Sequence, residues 1–174
     1  MERKGREKVG YLQSIRRDFP TLPRELTPAP ARRRPKLAPM PQTIAQFSLL
    51  VHDYDEAIAF YVGVLNFELL EDTPLGGGKR WVRVRPRGST GCAILLARAK
   101  AGGQRAAVGR QAGDRVWLFL ETDDFAADYR RLRERGVTIV RERSEEDFGT
   151  VCVFADCYGN KWDLIQRRVP ESQG

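Results

Sequence analysis

Three groups of side chains have the types and spacing to do chemistry. The first is one carboxylate, Asp163, in the run Lys161-Trp162-Asp163-Leu164-Ile165. Alternation along an extended strand sends Asp163 to the face opposite Trp162 and Leu164. An acid on the inner face of a sheet needs a reason; on a solvated face it needs none. The second group is Gln46, Ser48 and His52, which share a strand face opposite Phe47, Leu49 and Val51. Histidine ordinarily titrates near neutrality, which suits general-base work. At a strand end beside a helix cap, His52 reads equally well as an exposed hydrogen-bonding residue. The third group is aromatic and charged: Trp117, Phe119 and Glu121 alternate on one strand, and Trp81, Arg83 and Arg85 on another. Aromatic walls with a few polar groups describe a small-molecule pocket, and an inward Arg favours an anionic or carbonyl-rich ligand. Core packing competes for the tryptophans and solvent for the arginines.

The elements that must hold these residues come in two similar series. In the first, Ile44–Val51 alternates as a strand, Asp53 can cap a helix, and Ala57, Ile58, Tyr61, Val64 and Leu65 form an apolar stripe at helical spacing. Strands follow at Phe67–Glu71, Arg80–Arg85 and Cys92–Arg98, with Thr73–Lys79 as a Pro/Gly loop. In the second, Val116–Glu121 is a strand, Asp124 a cap, Phe125–Arg135 a helix and Gly136 its stop, before strands at Val137–Arg141, Val151–Phe154 and Lys161–Ile165. Asp53-Tyr54-Asp55-Glu56-Ala57 answers Asp124-Phe125-Ala126-Ala127-Asp128 about seventy residues later, a self-similarity that points to internal duplication. The last two strands form a hairpin around Asp156-Cys157-Tyr158-Gly159-Asn160. Arg98–Asp114 reads as a joint or loop, and Ser144–Asp147 as a solvated acidic loop.

Composition narrows the class. The 174 residues suffice for one compact core. The formal charge of +7 is confined to residues 1–39, which hold eleven Lys/Arg against four Asp/Glu and leave nineteen of each in the remainder. The body is thus neutral, which argues against nucleic acid as its partner. Residues 1–41 form a Pro/Arg-rich basic tail expected to be disordered, with Met40 as a second candidate start; 42–168 form the domain and 169–174 a short C-terminal tail. Three cysteines without metal-type spacing indicate no disulfide framework and no structural zinc. With no membrane-length apolar run and no signal-type leader, the expected compartment is the cytoplasm. Leu75-Gly76-Gly77-Gly78-Lys79-Arg80 lacks phosphate-loop spacing and reads as a turn.

Two βαβββ modules, with D-Y-D-E-A-I-A-F-Y-V-G-V-L-N-F-E-L-L-E-D after the first strand and D-C-Y-G-N-K-W-D-L-I-Q at the end, resemble the vicinal-oxygen-chelate superfamily: the glyoxalase, bleomycin-resistance and extradiol-dioxygenase group. The resemblance implies an α+β fold, module one at about 44–98 and module two at about 115–167, whose mixed sheets form a cupped cavity in a homodimer that binds a small molecule. It also implies a divalent metal (zinc, nickel, manganese or iron) held on converging strands. Aligning the two capping aspartates places Gln46 and Asp163 at ligand positions but Trp117 and Leu95 at the other two, where neither side chain can ligate. One histidine also precludes a two-His-one-carboxylate iron site. The expectation is therefore a small-molecule-binding member with a degenerate or absent metal site. The alternatives are a metal-dependent glyoxalase-like lyase or isomerase, in which Glu121 would assist Gln46 and Asp163, and a drug-sequestering resistance protein.

Overall fold

A computed structural model describes residues 42–168, and the expectations for the two tails lie outside the described residues. The first series folds as β1 (Gln46–Val51), α1 (Tyr54–Ile58), β2 (Phe67–Gly76), β3 (Lys79–Pro86) and β4 (Ala93–Arg98). After α2 (Gly103–Ala107), the second gives β5 (Val116–Glu121), α3 (Phe125–Glu134), β6 (Ile139–Glu146), β7 (Gly149–Ala155) and β8 (Lys161–Arg167). Each module forms a four-stranded mixed sheet, ordered β1-β4-β3-β2 and β5-β8-β7-β6, with the first strand parallel to the last. The duplication read from the sequence is thus a duplication of topology. Among the described residues no helix is long and apolar enough to cross a membrane.

Local chemistry sets the joints. The Asp53 carboxylate accepts from the backbone N–H of Asp55 at 2.8 Å and of Glu56 at 3.2 Å, and Asp124 accepts from that of Ala127 at 3.0 Å, satisfying donors that a helix start leaves open. α1 runs on through Ala59–Val64 with wider π-type turns, and Leu65 N–H donates to the Phe60 carbonyl at 3.1 Å. Two expected loops are strand instead. Thr73 and Pro74 pair with Trp81 and Arg80, and Ser144 and Glu145 pair with Val151 and Thr150. Cross-strand polar contacts flank or hold these stretches: Arg80 to Asp72 beside the first, and the Thr150 hydroxyl to Glu145 at 2.8 Å in the second.

The sheets lie on either side of one core. Leu49, Val51, Val82, Val84 and Leu96 of the first and Cys152, Phe154, Trp162 and Leu164 of the second belong to a single buried cluster. Phe47 on β1 meets Trp117 at 5.7 Å between ring centres, while Phe67 on β2 meets Trp162 at 6.2 Å. At about 4.8 Å per strand, β1 and β2 stand roughly 14 Å apart across sheet one. Both edges of the core face of sheet one thus reach the second module, and the other face of each sheet looks away from the shared core.

Two polar clamps hold the stack. Asp156, 5% exposed at the head of the β7–β8 turn, accepts from the Tyr61 hydroxyl at 2.6 Å, from Asn160 Nδ2 at 2.9 Å and from the Trp162 indole at 3.3 Å. The second clamp sits in the segment expected to be a joint or loop. The Gln111 side chain accepts from Leu50 N–H and donates to the Ser48 carbonyl at 3.2 Å, filling the open edge of β1 as a strand residue would. Its own N–H donates to Asn160 Oδ1 at 3.2 Å. Gly109 lets this segment pass the hairpin, since a Cβ there would stand 1.9 Å from the Tyr158 carbonyl oxygen.

Tyr61→Phe is predicted to lower unfolding free energy by about 1–3 kcal/mol, because Asp156 stays buried one donor short; an unchanged urea midpoint would remove Asp156 from its role as a clamp. Gln111→Ala should leave global stability within about 1 kcal/mol yet speed hydrogen exchange at Leu50 N–H, and equal exchange in both proteins would show the β1 edge to be protected by something else.

Candidate functional site

The outward face of sheet one carries four of the expected residues. Gln46 and Ser48 stand opposite Ala93 and Leu95, and Arg83 stands opposite Leu95 and Glu71 with Trp81 two residues away on the same strand face. Arg83 Nη1 donates to Glu71 at 3.4 Å and Arg85 Nη2 to Glu68 at 2.7 Å, so each guanidinium has a carboxylate on the adjacent strand. Arg83 Nε is buried without an acceptor.

The outward face of sheet two carries Phe119, Glu121 and Asp163. Phe119 pairs directly with Asp163 across the parallel β5–β8 ladder, and Val153 flanks Asp163 from β7. Phe119 is 64% exposed, whereas Val153 and Ile165 are buried, so the carboxylate rises from an apolar floor beside an open ring. Its Oδ1 is buried with no hydrogen-bond donor, and the nearest cation, Arg141 Nη2, is 3.8 Å away. Burial pushes the Asp163 carboxyl above its usual range; Arg141 pulls it down and Glu146 adds to the rise. Glu121 is committed to Arg167 at 2.6 Å. Sequence reasoning had no signal for Arg141, which stands opposite Val153, the neighbour of Asp163 on β7, in a strand whose register shifts on both sides of it.

Two residues lie elsewhere. Trp117 does not share the face of Phe119 and Glu121: a bulge between Val116 and Leu118 turns its ring inward against Phe47 and, at 6.2 Å, against Trp162. Strict alternation fails there because one extra residue opposes Lys161. His52 lies just beyond β1, exposed, its ring 5.5 Å from that of Tyr158.

The side chains present do not fit a divalent metal. Gln46 and Asp163 occupy different sheets, and the ladder neighbours of Asp163 are Phe119 and Val153. Among the described residues no three His, Cys, Asp or Glu side chains converge. Opposing the two outward faces would add Gln46 and Ser48 to Asp163, while the other carboxylates there, Glu68, Glu71 and Glu121, are already held by Arg85, Arg83 and Arg167, which leaves fewer strong ligands than a site normally uses.

A cleft of 1040 Å³ runs around the free edge of β5 rather than over Asp163, between Phe119–Asp123 and the turns at Leu65–Phe67 and Pro86–Ser89. Two of its acids are spoken for, Asp128 by Arg131 and Glu121 by Arg167. Asp163, whose one cation stands at 3.8 Å and whose Oδ1 has no hydrogen-bond donor, lies on the sheet face, and we place the candidate site there; Phe119 borders both.

Two βαβββ modules, each closing a four-stranded mixed sheet with its first strand parallel to its last, define the fold class. The chain belongs to the Glyoxalase/Bleomycin resistance protein/Dioxygenase superfamily, whose family model matches residues 43–164. It is 54% identical over 128 residues, 73% of this chain and 95% of the relative, to an uncharacterized protein of Shewanella frigidimarina. Among solved structures it is similar to UcmS2, with 30% identity, a TM-score of 0.63 and coverage of 72% of this chain and 98% of that one. It is also similar to TnmS3, an antibiotic binding protein from Streptomyces sp. CB03234, with 32% identity, a TM-score of 0.58 and coverage of 73% and 97%.

A carboxyl raised by burial opposes folding once it ionises, so its cost is absent at low pH and full above its folded pKa. Asp163→Asn is therefore predicted to raise stability at pH 7 by up to about 1 kcal/mol, with the gain vanishing below the ordinary carboxylate value of 3.8. Urea unfolding at pH 7 and pH 3 checks this; a loss of stability at pH 7 would mean that Arg141 already compensates the charge.

Proposed function

We propose that this protein binds a small organic molecule without a metal, against the outward faces of its sheets, and that two copies of the chain close the cavity. The carrying observation is the partly covered, donor-poor carboxylate of Asp163 beside the 64% exposed ring of Phe119. A polar group left unsatisfied on an apolar floor costs stability and is kept where a ligand completes it. Since both outward faces of one chain are turned away from the shared core, a cavity with both walls is best built from sheet one of one copy opposite sheet two of another. The antibiotic-binding description of TnmS3 supports a binding role over a reaction, as does a ligand set that leaves the lyase alternative without a metal centre.

Sedimentation equilibrium should give a dimer, and a screen of aromatic small molecules by thermal shift should return ligands that raise Tm. Trp81→Ala on one face and Phe119→Ala on the other should each weaken a hit at least about tenfold, as loss of a central aromatic contact does. A monomer whose ligands are indifferent to both substitutions would overturn the proposal. So would near-stoichiometric zinc, nickel, manganese or iron in chelator-free protein that disappears in Asp163→Ala.

A further inference from the structure

Charge matching on the two outward faces is uneven, and the imbalance specifies the ligand. On sheet one Arg83 and Arg85 each have a carboxylate on the neighbouring strand, Glu71 and Glu68. That weakens the sequence-based expectation that Arg83 selects an anion. On sheet two the cations along β8 are engaged elsewhere: Lys161 Nζ donates to the Asp114 carbonyl at 2.8 Å, and Arg167 pairs with Glu121. Glu146 accepts from the Ser144 hydroxyl at 2.8 Å. Asp163 is left with Arg141 alone, a 54% exposed guanidinium at 3.8 Å, beyond hydrogen-bond reach.

We propose that sheet two recognises an organic cation, a protonated amine or quaternary ammonium carried on an apolar body. The Asp163 carboxylate supplies the counter-charge and the Phe119 ring a cation–π wall, while buried Val153 and Ile165 beneath them exclude water and strengthen both interactions. Carboxylate and open aromatic face side by side are what an ammonium group needs, and an anion would meet Asp163 unfavourably. The inference rests on the binding role proposed above and narrows it from a small molecule to a cationic one.

The test uses three probes with one ring and different charge: benzylammonium, benzyl alcohol and benzoate. Each is titrated into the full chain while NMR follows the Phe119 ring and the Val153 and Ile165 methyls. Benzylammonium should bind about threefold to tenfold more tightly than benzyl alcohol, the range of a partly desolvated ion pair plus cation–π contact, with benzoate weakest. In Asp163→Asn the cation-to-neutral ratio should fall to about one, and Arg141→Gln, which removes the competing guanidinium, should raise it. A ratio of one in the native chain, a preference for benzoate, or a ratio unchanged in Asp163→Asn overturns cation selection while leaving the pocket standing. No shift at these residues from any probe, at concentrations up to tens of millimolar, removes sheet two from the binding site and the wider reading with it.

Discussion

The junction between the two modules is organised around one buried carboxylate. Asp156 lies between the modules with five donors on its two oxygens: the Tyr61 hydroxyl, the Asn160 amide side chain and the Trp162 indole on one, and the backbone N–H groups of Tyr158 and Asn160, both at 2.9 Å, on the other. A charge taken out of water survives only when so fully satisfied. In return it binds the helical segment of module one to the final hairpin of module two, and burial together with Asp156 pushes the Tyr61 hydroxyl pKa well up. Trp162, held by its indole N–H, fixes the phase of β8. That phase decides that Asp163, one residue later, faces outward.

The stacked arrangement has a functional cost. Joining two modules through their apolar faces turns the other face of each sheet away from the core, so the expected site residues are divided between them. Gln46, Ser48, Trp81 and Arg83 lie on one outward face and Phe119, Glu121 and Asp163 on the other. Duplication allowed the halves to diverge. Ser48 and Leu95, paired on sheet one, correspond to Phe119 and Asp163, paired on sheet two. A hydroxyl and an aliphatic side chain on one sheet thus answer an aromatic ring and a carboxylate on the other, and only the second pair can attract charge.

Asp156 and Asp163 are seven residues apart and show opposite electrostatic economies. Asp156 is more deeply buried yet fully bonded, and it stabilises. Asp163 is less covered but lacks a donor on one oxygen, and the folded chain tolerates it at some expense. Unsatisfied polar groups on otherwise well-made sheets are where function usually overrides stability.

By itself the sequence determined what depends on local periodicity and on self-similarity. The alternation of Phe47, Leu49 and Val51 against Gln46 and Ser48, the capping aspartates Asp53 and Asp124, and the βαβββ order in duplicate all stand in the structure. Asp156 was legible only as the head of a turn, because its partners Tyr61 and Trp162 assemble across 95 and 6 residues. Only the tertiary structure decided that Trp117 turns inward, since a bulge shifts phase with no mark in residue type. It alone ordered the segment around Gln111 and Gly109, whose purpose is an edge and a hairpin distant in sequence. It alone left Asp163 short of a partner while matching Arg83 to Glu71. Periodicity reports which way a side chain points; whether its charge is met depends on neighbours that only folding brings together.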